Sequence, residues 1–507
     1  MVLGTTSGAG KSWLATALCR WYAREGFKVA PFKAQNMSNN ARVVEGGEIG
    51  SAQYFQALAA GVTPNVLMNP VLLKPEADTR SQVVMLGKVN RRLSRMGWLN
   101  RSGHVWPAVK SSLNKLLFSH DIVVIEGAGS PAEINLMAND IVNLRVARHA
   151  RARCLLVTDI DRGGAFAHLY GTWKLLKKGD QKRIHGFVLN KFRGEASLLK
   201  PGPEKLQKLT GVPTVATLPM WREHGLPEED GIYEEYLSQK PLPPRWGNPP
   251  PSPSPTPPLR LGGSAKVRVA ERGEGIKTVA IVYYPRISNL DEFQPLRNFP
   301  GVRLRWAENA RDISGADWVI LPGSKHTSSD LAWMRVRGLD RAVSAHASAG
   351  KAVLGICGGL QMLGKTLRDP HHVEGGGEGL GLLPLVTEFK RVKTVRPRQA
   401  CFGAVSGSWT SLSGLTVQGY EIHNGNTWLD GSRDAARPIM SENLAWQNKK
   451  GNVLGLYLHG LFEDASALRA LFGIDAPVWD HVFDGMADFV DRHFQPGILN
   501  SLVKAHS

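Results

Sequence analysis

The 507 residues exceed what one hydrophobic core usually organises, so two or three domains are expected. Apolar residues make up 42% and charged residues 21%, ordinary for a soluble globular chain, and no apolar run reaches the ~18 residues of a membrane span. Lys plus Arg is 62 against 44 Asp plus Glu, giving +18, a balance that suits nucleic acid, a phosphate-bearing ligand or a multi-carboxylate small molecule, and equally a plain basic surface.

The chain opens on Gly4–Ser12, GTTSGAGKS, after an apolar stub and before the helix expected over Lys11–Glu25. With a glycine-rich motif this early, no signal peptide is expected. Across Thr5, Thr6, Ser7, Gly8, Ala9 and Gly10 the small side chains let backbone N–H groups converge on phosphate oxygens, and the helix N-terminus adds a favourable dipole. Lys11 would reach the terminal phosphates of ATP and Ser12 would ligate Mg²⁺, although the loop has one residue more than the usual spacing. Next comes a strand over Lys28–Phe32, ending at Lys33, which could neutralise a transferring phosphoryl group. The stretch DIVVIEGAGS (121–130) is an apolar strand ending in Glu126, a carboxylate placed for Mg²⁺. Leu155–Thr158 and Gly186–Leu189 complete a set of short buried runs of the kind found in parallel sheets, which collect ligands at their carboxyl ends.

Pro241–Pro258 contains ten prolines in eighteen residues and reads as an extended spacer. Three units are expected: 1–237, a linker over 238–275, and 276–507.

The second half shows apolar runs at Thr278–Tyr283, Trp318–Leu321 and Ala352–Ile356. The last meets Cys357, set between Gly355 and Gly359 in a strand-to-helix turn that needs glycine neighbours for space. A thiol at a helix N-terminus is a better nucleophile because the dipole favours the thiolate. The N–H groups of Gly358 and Gly323 could form an oxyanion hole. His459, in GLYLHGLFED (455–464), is the expected base. Glu421 and His423 share a strand face, an unpromising metal pair. The four cysteines, Cys19, Cys154, Cys357 and Cys401, show no CxxC pair, which argues against a disulfide scaffold or zinc ribbon and for a reducing cytoplasm.

At these residues the sequence resembles the glutamine-hydrolysing cobyric acid synthase family of cobalamin biosynthesis. The resemblance runs through GTTSGAGKS (4–12), PFKAQNMSNN (31–40), GGEIGSAQ (46–53), NPVLLKPEADTRSQV (69–83), VIEGAGSPAEINL (124–136), TDIDRGGAFA (158–167) and VLNKFRG (188–194). It continues through LPGSKHT (321–327), GICGGLQMLG (355–364), GYEIHNG (419–425) and YLHGLF (457–462). It implies an α/β architecture: an N-terminal P-loop, parallel-sheet domain similar to dethiobiotin synthetase, and a C-terminal domain similar to class I glutamine amidotransferases. It further implies Ser12, Glu48 and Glu126 around Mg²⁺, Asn190 and Lys191 at the base of ATP, and Asp159 and Asp161 where the corrinoid carboxylate meets the phosphates.

The implied reaction is a ligase that activates the b, d, e and g carboxylates of adenosylcobyrinic acid a,c-diamide with ATP and amidates them with ammonia from glutamine. Corrinoid, glutamine and ATP are the expected partners, with no nucleic acid and no membrane, and a homo-oligomer is left open. A sister enzyme, the a,c-diamide synthase or a lipid II amidase, is the close alternative. A ParA-like partition ATPase is a remoter one, because its signature lysine would fall at Thr6. Three departures stand out. Only Met1–Leu3 precede the loop, the proline linker is long, and Leu461 occupies the slot where class I amidotransferases carry a glutamate. The last agrees with a Cys–His dyad, with Glu463 as a candidate third member.

Overall fold

The structure is a computed structural model that describes residues 1–77, 80–222, 224–227, 276–299, 301–431, 435–473 and 479–503. The proline spacer lies outside the described residues.

In the first half, Val2–Gly4 pairs in parallel with Cys154–Asp159, which continues to Ile184–Phe192 and Thr214–Pro219. On its other side Val2 bridges Glu126, at the end of Ile122–Ile125, and that strand pairs in parallel with Val29–Phe32. Every residue of Cys154–Asp159 is buried, as expected for a central strand with helices on both faces. Helix Lys11–Arg24 packs Leu14, Ala15 and Leu18 against one face. Helix Trp98–Ser119 turns Val105, Val109, Leu113 and Leu116 inward at spacings of three and four. The loop after Val2–Gly4 meets the ends of the neighbouring strands through Thr158, Asn190 and Glu126.

The second half is a seven-stranded sheet. Val302–Ala307, Lys277–Val282, Trp318–Leu321, Ala352–Ile356 and Val453–Leu456 run parallel, and Ala445–Asn448 and Ala436–Pro438 finish the edge antiparallel.

Antiparallel additions, which the apolar runs did not announce, join the halves. The long strands Leu385–Cys401 and Thr416–Leu429 reach the hairpin Ala41–Val44/Gly47–Gly50 of the first half. There Val395, Tyr420 and Ile422 pack with Ala41, Val43, Leu72 and Val84. Arg42 is 1% exposed at this seam. It pairs with Asp291 at 2.5 Å and with Glu463, and donates to the Tyr420 hydroxyl at 2.6 Å. A fully buried cation needs such partners on every side.

The last long helix of the expected second unit, 276–507, packs outside the second sheet. Helix Trp479–His493 returns to the first half and buries Phe483, Met486 and Val490 in its core. Arg20 bonds Asp484, Arg24 bonds Asp488 and Trp21 bonds Asp491 along this contact. Phe494 then bridges Ala216 at the sheet edge. The helix is strongly amphipathic, and its apolar stripe is complementary to the exposed flank of Lys11–Arg24 rather than to anything in the second sheet.

Candidate functional site

Two sites face the seam. At the first, Gly10 takes φ +96°, and a Cβ there would lie 2.0 Å from Asn190 Nδ2, so the turn requires glycine. Asn190 Nδ2 donates to the Ala9 carbonyl at 2.9 Å, and Lys191 Nζ donates to the Gly8 carbonyl at 3.0 Å. Lys11 folds back over the loop, donating to the Thr6 carbonyl at 2.9 Å, and Thr5 Oγ1 donates to Thr158 at 3.0 Å. The stretch Thr5–Gly10 with Lys11, Asn190 and Lys191 is thus one assembly. Asp159 joins it through Lys191 at 3.2 Å and accepts the Asp161 N–H at 2.9 Å, while Asp161 pairs with Arg193.

Glu126 is the centre of this site. One oxygen accepts from Ser12 Oγ at 2.7 Å and from Lys33 Nζ at 2.8 Å, and the other accepts from Gln56 at 2.6 Å and Gln53 at 3.3 Å. Burial opposes its charge, but Lys33 and these donors outweigh burial and hold the carboxyl below its usual range. Ser12 and Glu126 offer the adjacent hard oxygens that Mg²⁺ prefers. Glu48 does not join them. It is ion-paired with Lys74 and lies 3.4 Å from Lys393; burial works against it, but Lys393, Lys74 and Lys325 hold it down at about 2. The sequence places Glu48 next to a glycine turn, but hairpin pairing turns its side chain toward the other half.

At the second site, Cys357 sits between strand Ala352–Ile356 and helix Gly358–Leu363 with φ 52° and ψ −104°, a conformation non-glycine residues rarely adopt. The two glycines make this turn possible: a Cβ at Gly359 would lie 1.8 Å from the Leu321 carbonyl, and one at Gly355 2.7 Å from Gly359. Gly358 begins the helix, so its N–H has no intrahelical acceptor. Gly323 lies against His459, whose Cε1 would be 3.1 Å from an added Cβ. His459 follows strand Val453–Leu456, bridges Tyr420 and stacks on its ring at 5.2 Å.

The third partner of His459 is Glu292, which the sequence reading missed. His459 Nδ1 donates to Glu292 at 3.1 Å, and both side chains are buried. Burial favours neutral imidazole, but Glu292 and then the Cys357 thiol raise the ring to about 10. Glu463, the sequence candidate, is committed to Arg42 instead, and burial lifts it to about 7. Glu292 lies in NLDEF (289–293), a segment in which the sequence shows no motif, and both of its acids are buried. Asn40 and Ala41 of the first half bond Leu290 and Asn289. Glu421 pairs with His423 at 3.2 Å and with Arg396, and His423 Nδ1 bonds the Gly425 carbonyl.

Comparison with known proteins matches residues 1–230 to the CobQ/CobB/MinD/ParA nucleotide binding domain and 278–467 to the CobB/CobQ-like glutamine amidotransferase domain. The first description spans partition ATPases as well, so the second domain and the full-length relatives decide. A cobyric acid synthase of Variovorax paradoxus (strain S110) is 63% identical over 99% of this chain and 98% of that one. One from Polaromonas naphthalenivorans (strain CJ2) is 62% identical over 99% of each chain, and one from Acidovorax ebreus (strain TPSY) 60% identical over 99% of this chain and 98% of that one. This chain belongs to the cobyric acid synthase family. It is a ligase of the amidotransferase type with an ATP-binding half and a glutaminase half, as the sequence motifs implied. Neither the sister amidotransferases nor a partition ATPase finds support. No helix among the described residues is long and apolar enough to cross a membrane.

Proposed function

We propose that the chain converts adenosylcobyrinic acid a,c-diamide to adenosylcobyric acid by ATP- and glutamine-dependent amidation of its b, d, e and g carboxylates. The observation that carries this reading is the presence of two sites on one buried seam, the Ser12–Glu126–Lys33 cluster and the His459–Glu292 pair beside the Cys357 turn.

In the ATP half, Lys11, Lys33 and the N–H groups of Thr5–Gly10 hold the phosphates, and Asn190 and Lys191 flank the base. Ser12 and Glu126 would hold Mg²⁺, which supplies charge neutralisation on the phosphates; Glu48 is not assigned to it. A corrinoid carboxylate near Asp159 and Asp161 attacks the γ-phosphorus, giving an acyl phosphate and ADP. In the glutaminase half, Cys357 Sγ attacks the carboxamide carbon of glutamine. The developing oxyanion faces the N–H groups of Gly323 and Gly358. His459 Nε2 gives its proton to the leaving ammonia, and water then releases glutamate from the thioester. Glu292 acts as a positioning residue: it fixes Nδ1 as the donor and stabilises the imidazolium. Ammonia attacks the acyl phosphate, expelling phosphate and leaving the amide. A cavity lined by Ser12, Thr16, Ser51, Phe55 and Asp291 lies between the sites.

The test is incubation with candidate corrinoids, ATP and glutamine, followed by mass spectrometry. Each amidation replaces a hydroxyl with an amino group, and four successive events are expected. The a,c-diamide left unchanged while cobyrinic acid gains two amides would instead identify the sister reaction.

A further inference from the structure

The cavity beside Cys357, about 90 Å³, is not closed by the glutaminase half alone. Its wall includes Lys74 and Gln82, which face each other across the antiparallel pair Val71–Ala77/Arg80–Met85 of the ATP half. Lys74 is 1% exposed and paired with the equally buried Glu48. From the glutaminase half, Lys393 approaches the same carboxylate at 3.4 Å, and Lys325 and Glu374 complete the lining. Three lysines and one carboxylate, Glu374, therefore line a small space beside the nucleophile, drawn from both halves, with Glu48 paired to Lys74 and Lys393 behind the wall.

Such a charge set is costly to bury without a purpose. The lysines crowd one another: burial and then Lys393 push Lys325 down to about 8. Burial lifts Glu374 to about 6. An incoming carboxylate would relieve the excess of cations, and an incoming ammonium would satisfy Glu374. A free α-amino acid brings both. With its side-chain amide at Cys357, glutamine must leave water with its charged end, which then needs charge-assisted partners.

Building on the proposed role of Cys357, we infer that the glutamine site is a composite. Lys74 and Gln82 of the ATP half close a wall over Lys325, Lys393 and Glu374, so that the α-carboxylate and α-ammonium of glutamine are read only when the halves are docked. Lys74 acts on the carboxylate together with Lys393, and the Glu48 carboxylate behind them holds both ammonium groups in place. The ATP half thereby contributes to substrate choice in a reaction whose nucleophile it does not carry.

The experiment uses the full chain with saturating ATP and corrinoid, varying either glutamine or ammonium chloride. Lys74→Met should raise the KM for glutamine about tenfold and Gln82→Ala a few-fold, with kcat nearly unchanged and ammonia-supported amidation within about twofold of wild type. Lys74→Met should also narrow the preference for glutamine over an analogue lacking the α-carboxylate. An unchanged KM for glutamine, or an equal loss with both nitrogen donors, would overturn the composite pocket. If thermal melting shows Lys74→Met to be unfolded, Gln82→Ala and Lys393→Met carry the same comparison. A wild-type enzyme that fails to hydrolyse glutamine would overturn the functional reading itself, an outcome separable from a normal enzyme with an insensitive Lys74.

Discussion

The two halves place their chemistry at the same kind of location, the carboxyl end of a parallel strand where a helix begins, yet they build it differently. The phosphate loop is made mostly of backbone, and its main parts lie within Gly4–Ser12. The glutaminase site is made of side chains from segments far apart: Cys357, His459 and Glu292. Phosphate is a large, diffuse anion that a row of N–H groups satisfies locally. Thiol attack needs a base and an orienting acid converging on one atom, which no local stretch can supply. The contrast extends to strain. Positive φ at the loop falls on Gly8 and Gly10, where it is free of side-chain conflict, whereas at the elbow Cys357 itself takes it.

Substitutions that separate the halves test this contrast. The largest effect is expected from Cys357→Ala. Glutamine-dependent amidation should fall by about 10³-fold or more, while activity with high ammonia persists. Equal loss with both donors would mean that the sites are not separate. Lys11→Ala should have the opposite signature. Amide formation should drop by about 10²–10³-fold with either donor, with glutamine hydrolysis retained; synthesis at the wild-type rate would remove the loop from the nucleotide site.

Glu292→Gln sharpens the comparison inside the glutaminase half. We expect kcat/KM for glutamine to fall by about 10–100-fold, with ammonia-supported synthesis kept. The folded pKa of His459, about 10, lies above the ordinary 6.5. The pairing therefore stabilises the fold fully below about pH 6.5 and is lost as pH rises through about 10. Without the carboxylate, the alkaline limb of the glutaminase profile should move to lower pH. A profile and rate like those of wild type would show that Glu292 plays no positioning role.

The smallest effect is expected from deleting Pro249–Pro258. Among the described residues the halves dock through Arg42, Asp291, Tyr420 and the return of Trp479–His493. The ratio of amide formed to glutamine hydrolysed should stay near wild type. A sharp fall with both half-reactions intact would assign the prolines a part in alignment.

What the sequence by itself determined were the parts whose chemistry is local. The loop around Lys11, the glycines around Cys357, Lys33 and Glu126 at strand ends, and the buried parallel strands all follow from residues within a few positions of one another. Tertiary structure alone decided where long-range partners fall. It chose Glu292 over Glu463 for His459, because Arg42 from the other half claims Glu463 and hydrogen bonds from Asn40 and Ala41 pin the segment that carries Glu292. It turned Glu48 away from Ser12 and toward Lys74 and Lys393, and it returned the last helix to the first sheet. A carboxylate's role depends on which cation or imidazole reaches it, and that is set by packing between segments hundreds of residues apart, where periodicity and spacing carry no signal.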